Sequence, residues 1–169
     1  MADYSWNTTA GQTVARELLL ACLNTGTAET PVWSIIGKRV EDSSEEYDWS
    51  TETKKDILGD TYGTMKKPII TQSFEPCEMD SGDLAQQKIW KLAVVEQDAM
   101  ALASLDMLIV HSYAGFAERY SACMVEVTGL GGEGGGAAGM PITVTFGGTR
   151  TKGSATKGSD GTITFTPEA

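Results

Sequence analysis

The stretch "GLGGEGGGAAGMPITVTF", residues 129–146, decides between two fold classes. Its first six residues satisfy G-x-G-x-x-G, the glycine spacing of a dinucleotide-binding loop. Such a loop must open a helix, because the helix N-terminus holds the pyrophosphate. Here Pro141 leads instead into "ITVTF", in which apolar residues alternate with threonine as they do in a half-buried strand. The glycines therefore predict a hairpin tip at residues 129–140 and no cofactor site.

Short alternating runs of the same kind recur along the chain and predict about eight β-strands. The runs cover residues 15–24, 32–40, 46–58, 66–74, 107–113, 119–129, 141–146 and 162–166. Many short strands with frequent turn signals favour an antiparallel sandwich or barrel. The segment "GTRTKGS", residues 148–154, has the glycine spacing of a P-loop, but Ser154 stands where that motif requires lysine. We predict a turn between strands there.

One region without glycine or proline interrupts the strands and is rich in helix-forming residues. Its apolar residues recur at helical spacing, which predicts a helix over residues 82–94, capped by Asp80 or Ser81. A second helix is predicted over residues 96–105. The fold class is therefore mainly β, an antiparallel β-sandwich with one or two flanking helices. The length of the chain suits a single domain over residues 1–169, which begins with an N-terminal arm, residues 1–13.

The charge of the chain is strongly negative and unevenly distributed. A net charge of −10 argues against nucleic-acid binding, which needs basic residues to release counterions from phosphates. Residues 41–60 hold eight acidic and two basic residues, whereas residues 141–169 hold two acidic and three basic ones. Such asymmetry is typical of a solvated surface, and it also suits a chain that associates with copies of itself.

The residue types that carry catalysis or bind metal form no recognisable site. Cys22, Cys77 and Cys123 are far apart, without a C-x-x-C pair, and are predicted to be buried thiols in a reducing compartment. His111, the single histidine, lies in an apolar run and is interpreted as structural. The chain has no second imidazole for a zinc site and no G-x-S-x-G motif. We expect no enzyme activity, no cofactor and no metal.

The sequence shows neither the pattern of a signal peptide nor that of a membrane-spanning segment. The start, "MADYSWNTTAGQ", lacks a basic segment followed by an apolar one, so no signal peptide is expected. The most apolar run, "AMALASLDMLIV", contains an acid and is too short to span a bilayer. We therefore expect a soluble protein made in a cytoplasm, with no membrane partner.

Three long stretches, in order and at ordinary spacing, resemble a known structural family. They are "PVWSIIGKRVEDSSEEYDWSTETKKDILGDTYGT", "FEPCEMDSGDLAQQKIWKL" and "FAERYSACMVEVTGLGGEGGGAAGMPITVTFGGTRTKGS". Together they resemble the early strands and long loop, the strand-to-helix passage, and the closing hairpin of tail tube proteins (major tail proteins). That family builds the tubes of long-tailed bacteriophages with non-contractile tails. The resemblance covers most of the chain, from about Thr30 to Pro167.

The resemblance implies a structural virion protein that assembles with itself. Hairpins from six subunits would join into a shared inner β-barrel, and the homohexameric rings would stack into a hollow tail tube. The tube would enclose the tape measure protein and meet the tail terminator and distal tail proteins. Genomic DNA would pass through the lumen during ejection without specific binding. Assembly would take place in the host bacterial cytoplasm, and the protein would be found in the phage tail.

The resemblance also assigns roles to two segments. Residues 40–63 would be the acidic loop and strand region that contacts the neighbouring ring, with a tip around residues 43–46. Its interface candidates are Glu45, Glu46, Tyr47, Asp48 and Trp49, since aromatic residues are favoured at buried interface centres. The ordinary alternative is a solvated hairpin.

The glycine-rich tip also leaves two alternatives open, order on contact with a partner or plain disorder. Its candidate residues are Gly131, Gly132, Glu133 and Gly134. Acids of the 41–60 run or near Glu133 would line an electronegative lumen. A rival reading of the whole chain is a non-viral β-sandwich binding module, cytoplasmic or exported, such as a carbohydrate-binding or adhesin-like domain.

Overall fold

Twelve strands, all paired antiparallel, form the framework of the computed structural model, which describes residues 2–169. They are β1 (Leu19–Asn24), β2 (Trp33–Ile36), β3 (Val40–Asp42), β4 (Glu45–Asp48), β5 (Glu52–Lys55), β6 (Thr61–Thr64), β7 (Ile69–Pro76), β8 (Leu105–His111), β9 (Phe116–Val127), β10 (Ile142–Phe146), β11 (Arg150–Lys157) and β12 (Ile163–Pro167). Helical segments are a 3-10 turn (Arg16–Leu18), α1 (Leu84–Trp90), a π-helical turn (Lys91–Val95) and α2 (Ala99–Leu102). The predicted class, mainly β and antiparallel with a flanking helix, is confirmed.

The strands form a closed ring joined to a smaller sheet. Six strands follow one another in the ring, in the order β11–β12–β2–β1–β8–β9, and β9 pairs again with β11. The long strand β9 belongs to both units. Its first half pairs with β11, and its second half pairs with β10. From β10 the small sheet continues to β7, which pairs with β4 along its first half and with β3 at its end.

Two hydrophobic cores result from this arrangement. The larger core lies between ring and sheet and contains Met107 and Ile109 from β8 with Phe74 from β7. The smaller core includes Leu108 and Val110, the residues of β8 that alternate with the first set. Strand β8 is therefore buried on both faces, which explains why its sequence is continuously apolar rather than alternating.

The helical region differs from the sequence-based expectation in its cap and its length. Asp83, and neither Asp80 nor Ser81, is the N-cap of α1, because its side chain accepts from the backbone N–H of Gln86. The Asp80 carboxylate instead accepts from the backbone N–H of Gly82, in a turn before the helix. α1 begins at Leu84 and changes to π geometry at Lys91.

The predicted second helix, residues 96–105, is reduced to the single turn of α2. It ends early because the next strand, β8, already begins at Leu105. Asp98 caps this short helix through a bond from the backbone N–H of Ala101.

Residues 148–154 are not the turn that their sequence indicated. Arg150–Lys157 form β11, which pairs with β12 on one side and β9 on the other. The residues of β11 that turn inward are Thr151, Gly153 and Ala155, so the alternating pattern is present but almost without hydrophobicity. A Cβ on Gly153 would lie 2.8 Å from Cε2 of Phe165 and would also clash with the backbone of β12. Glycine permits this close strand approach.

The N-terminal arm lies against the turn between β8 and β9, although its first residue is outside the described part. The backbone N–H of Asn7 donates to the carbonyl of Tyr113 at 2.7 Å. The rings of Tyr4 and Phe116 meet edge to face, with centroids 4.8 Å apart. The arm is therefore attached to the ring by aromatic contacts.

Candidate assembly surfaces

The five candidate residues around Tyr47 lie together on β4 and directly after it, but they are divided between two faces. β4 pairs with β7, so that Glu45 lies opposite Gln72 and Tyr47 opposite Ile70. Gln72 and Ile70 are buried. Because side chains alternate along a strand, Glu45 and Tyr47 share this inward face, and Glu46 and Asp48 point to the other. The sequence grouped these residues correctly in space but did not separate their faces.

The inward face of β4 contains a hydrogen-bonded Tyr–Glu pair and a partly exposed aromatic pair. The Tyr47 hydroxyl donates to Glu45 Oε2 at 2.8 Å, and the Tyr47 ring stacks on Trp49 with centroids 6.2 Å apart. Burial raises the pKa of Glu45, although the bond from Tyr47 acts in the opposite direction. Within the described residues, Glu45 Oε1 and Gln72 Oε1 are buried without a hydrogen-bond partner.

Residues 43–46 are not the tip of the acidic region, contrary to the expectation. The Ser43 carbonyl accepts from the guanidinium of Arg16, at 2.9 Å from Nη2, and the Ser43 hydroxyl accepts from Gln72 Nε2 at 2.9 Å. β4 then pairs with β7. This segment is attached to the sheet because its hydrogen bonds are made inside the chain.

A second polar cluster lies on the ring beside β4 and contains the single histidine. His111 Nε2 lies 3.3 Å from Glu118 Oε1, and Arg150 Nε lies 2.5 Å from Glu118 Oε2. Tyr120 also donates to Glu118. Burial opposes the charge of Glu118, yet the hydrogen bonds from His111 and Arg150 hold its pKa below the usual value. The cluster compensates a buried carboxylate, which agrees with a structural role for His111.

The projecting part of the acidic region is the hairpin of β5 and β6. These strands pair only with each other, and all eight of their residues are exposed. At the turn, Ile57 is fully exposed and Leu58 is 82% exposed, between Asp56 and Asp60. A two-stranded hairpin without further packing is marginal in water, and adjacent exposed Ile and Leu side chains favour contact with a partner. The alternating pattern predicted a single strand over residues 46–58, so the exposed pair at the turn was not identified from the sequence.

An open groove beside α1 offers apolar surface on another part of the molecule. Its apolar lining comes from Val32, Leu84 and Trp90, which remain partly exposed, and its volume is about 720 Å³. Lys88 and Lys91 also line it. Lys88 Nζ donates to the carbonyl of Asn24 at 2.7 Å, which holds this ammonium beside the groove.

The outward face of the small sheet is polar and contains no lysine or arginine among its described strand residues. It carries the residues that alternate with the buried ones: Glu46, Asp48, Ile69, Thr71, Ser73, Glu75, Met124, Glu126, Thr143 and Thr145. Neighbouring hydroxyls of Ser73 and Thr143 lie 3.3 Å apart, which places them on the same side. The face therefore combines hydroxyl groups and carboxylates with two exposed apolar side chains, Ile69 and Met124.

The glycine-rich tip has a defined backbone within the single chain. Gly131 and Gly139 exchange two backbone hydrogen bonds, of 3.0 and 2.7 Å. Gly132 approaches the carbonyl of Ala137 so closely that a Cβ would lie 2.5 Å from it, whereas Gly134 faces open space. Glu133 is exposed. The four tip candidates thus lie in one narrow loop between β9 and β10.

The three cysteines are free and buried, as the sequence predicted. Burial raises the pKa of the Cys22 thiol to about 12, and those of Cys77 and Cys123 to about 11. Thiols with such values are poor nucleophiles at neutral pH.

Over residues 2–169, no group of three or more His, Cys, Asp or Glu side chains is arranged to hold a metal ion. In the same part of the chain, no helix is long and apolar enough to cross a membrane.

Comparison with known proteins finds likeness in structure only. No protein-family model matches the chain, and no curated protein sequence matches it. A chain of the PVC sheath–tube complex, an extracellular contractile injection system in its extended state, aligns with a TM-score of 0.53 at 8% identity, over 86% of this chain and 94% of that one. The anti-feeding prophage cap, which terminates a tube, gives 0.51 at 11% identity, over 88% and 96%. The PVC sheath/tube terminator gives 0.50 at 9% identity, over 85% and 99%.

These neighbours are components of phage-tail-like particles, and the alignment covers nearly the whole of each chain. At such low identities the likeness concerns the fold. The chain therefore shares the fold of these tube and tube-terminator chains.

Proposed function

We propose that this chain is the structural subunit of a hollow tail tube, in which homohexameric rings stack and DNA passes through the lumen. The tube belongs, in this proposal, to a long-tailed phage with a non-contractile tail, as the sequence resemblance implies. The observation that carries the proposal is the likeness to tube and tube-terminator structures over 85–88% of the chain. A fold by itself does not define a function, so the surfaces must also suit assembly.

Two open strand edges suit a ring. The small sheet ends on one side at β4, which pairs only with β7 among the described residues. On the other side it ends at residues 124–127 of β9, which pair with β10 and with no second strand in that part of the chain. Pairing of β4 with the second half of β9 in the next copy would continue the sheet around the ring. Closure into a shared barrel removes exposed edges, which otherwise promote aggregation.

The outward face of the small sheet supplies the lumen in this arrangement. In a barrel built from six small sheets, the face that does not pack on the subunit core must line the bore. In this chain that face carries hydroxyl groups and carboxylates, including Glu46 and Glu126, and no described basic side chain. Such a surface repels a duplex that carries one charge per roughly 1.7 Å of its axis. DNA would therefore slide past each ring without being held.

The acidic region, residues 40–63, is proposed to contact the neighbouring ring. Its hairpin of β5 and β6 projects from the subunit, and Trp49, 44% exposed, lies where the hairpin leaves β4. The tape measure protein inside the tube and the terminator and distal tail proteins at its ends are the further partners implied. The protein would be found in the virion tail after assembly in the host cytoplasm.

The first experiment tests assembly. Purified protein is examined over a range of concentrations by light scattering and by negative-stain electron microscopy, and we expect rings and tubes with a central hole. A matched pair of variants tests the contact region. Trp49→Ala should yield rings that stack poorly, and Met124→Phe, beside the proposed lateral edge, should impair ring closure instead. Monomers that stay dispersed at the highest concentrations would overturn the proposal and favour a binding module.

The second experiment tests the lumen. Ser73→Cys places a thiol on the face proposed to line the bore, where the native cysteines contribute no background because they are buried. In tubes, a small maleimide should label this thiol, and a bulky polymer-linked maleimide should not. The control is Glu17→Cys, at an exposed site on the 3-10 turn, which both reagents should label on dissociated subunits. Equal labelling of Ser73→Cys tubes by both reagents, or salt-sensitive duplex binding by wild-type tubes, would contradict the assignment.

A further inference from the structure

The hairpin of β5 and β6 ends in a feature that its own chain leaves unused. Ile57 and Leu58 are adjacent at the turn, and both side chains are exposed. The turn itself is well formed, because Asp56 Oδ1 accepts from the backbone N–H groups of Leu58 and Asp60, at 2.9 and 3.0 Å. These bonds fix the conformation of the turn from which the two apolar side chains project. Preorganisation of this kind favours insertion into a preformed pocket, since less conformational freedom is lost on binding.

The groove beside α1 matches this tip in polarity and in charge. Its apolar surface comes from Val32, Leu84 and Trp90, and at about 720 Å³ it has room for two aliphatic side chains. Two lysines, Lys88 and Lys91, stand at its side.

Within residues 56–60 the hairpin tip carries the opposite charge, with one aspartate before and one after its apolar pair, while Lys54 and Lys55 precede the tip on β5. Lys91 lies 3.6 Å from Glu96 at the surface, a weak exposed pair that leaves it able to approach another carboxylate.

We infer that the hairpin tip of one copy, residues 56–60, inserts into the groove beside α1 of a second copy. The apolar pair would cover the Leu84–Trp90 surface, and Asp60 would approach Lys91. The tip and the groove are different patches of the same molecule, so the contact is heterologous and can repeat from copy to copy, as a stacked tube requires. This contact deepens the proposed tube function and rests on it.

Cysteine cross-linking between separately produced chains tests the contact directly. Leu58→Cys protein is mixed with Leu84→Cys protein, and the mixture is oxidised mildly at high concentration. We expect a disulfide-linked heterodimer, because the two thiols would meet inside the groove. The control mixture contains Leu58→Cys and Met100→Cys, since Met100 is highly exposed on α2 but lies outside the groove. The native cysteines are buried and contribute no links.

Charge reversal supplies a second, independent readout. Asp60→Lys or Lys91→Glu alone should raise the concentration needed for assembly about tenfold, which corresponds to about 1.4 kcal/mol. Combining Asp60→Lys and Lys91→Glu in one chain restores opposite charges across the contact and should recover most of the lost assembly. Leu84→Glu should also weaken assembly while leaving the fold intact, because an acid in the first turn of a helix is favourable.

The outcomes separate the contact from the tube proposal. Tubes that form normally while the 58–84 disulfide is no more abundant than the 58–100 control would overturn the contact alone. If the chain forms no rings in any condition, the proposed tube function is overturned. The same cysteine mixtures still test the contact, because cross-linking is measured in every preparation. The double variant with Leu58→Cys and Leu84→Cys supplies a further check at high dilution. A disulfide within one chain would show that the tip folds back onto its own groove, and would also overturn the contact between copies.

Discussion

Two consecutive residues of β8 should each be needed for stability, although they point in opposite directions. Leu108 and Ile109 are both 0% exposed, the first inside the ring and the second between ring and sheet. Replacement by alanine removes three carbons in each case. At about 0.8 kcal/mol for each buried carbon, the transfer loss is about 2.4 kcal/mol, and the remaining cavity adds to it. We expect each variant to lose about 3 kcal/mol of unfolding free energy, within the range of about 2–5 kcal/mol for such changes.

Urea denaturation of the dilute protein, followed by circular dichroism, measures both losses. Met124→Ala is the control, because Met124 is 51% exposed on β9 and should change stability by no more than about 0.5 kcal/mol. In an ordinary two-layer sandwich, one of two consecutive strand residues faces solvent. If Leu108→Ala cost as little as the control while Ile109→Ala showed its full loss, the closed ring with its own core would be refuted.

Three further predictions concern a close strand contact, a partly buried acid and the cysteines. Gly153→Ala should cost about 1–3 kcal/mol of unfolding free energy, because its Cβ would press on β12. Gly134→Ala, in open space, should be neutral or stabilising by up to about 1 kcal/mol. Equal effects of the two changes in thermal melts would contradict the close strand contact. Burial raises the pKa of Glu45 in the folded protein above its ordinary 4.5. The carboxyl group therefore contributes its full stability below about pH 4.5, and this stability is lost as the pH rises through the pKa of the folded state. Glu45→Gln should therefore gain stability over wild type from pH 5 to pH 7 in urea titrations, and the exposed control Glu46→Gln should run parallel to wild type. Replacing all three cysteines by alanine should lower stability through packing, with assembly intact if the chain folds, and a native disulfide found by mass spectrometry would count against this.

The strands with clear alternation were predictable from the sequence, and the weakly hydrophobic ones were not. β10 and β12 carry Ile, Val or Phe at every inward position, so their period of two is evident. β11 has the same geometry, but Thr151, Gly153 and Ala155 occupy its inward positions. Its existence depends on β12, which follows it in a hairpin, and on β9, which is distant in sequence; together they supply both rows of hydrogen bonds. Local propensity cannot report partners of this kind.

The candidate surfaces were predictable in position but not in orientation. The acidic region was identified by composition, yet the faces of Glu45 and Glu46 follow from the pairing of β4 with β7. A shift of one residue in that register would exchange the two faces, and no pattern within "EEYD" fixes it. The cap of α1 shows the same limit on a smaller scale, because Asp80 and Asp83 are equally good capping residues and only the backbone selects between them.

The division of the molecule into a ring and a small sheet gives folding and assembly different supports. The ring closes its strands within one chain and has its own core, so its hydrogen bonds need no second copy. The small sheet shares the larger core, but it keeps two open edges, an outward polar face and the hairpin that extends from β4. Changes on these exposed features should therefore alter assembly while the unfolding free energy of the subunit stays nearly constant, since surface substitutions typically cost little. Changes inside the ring should have the reverse effect, because a subunit that loses its second core loses the support on which the edges are presented.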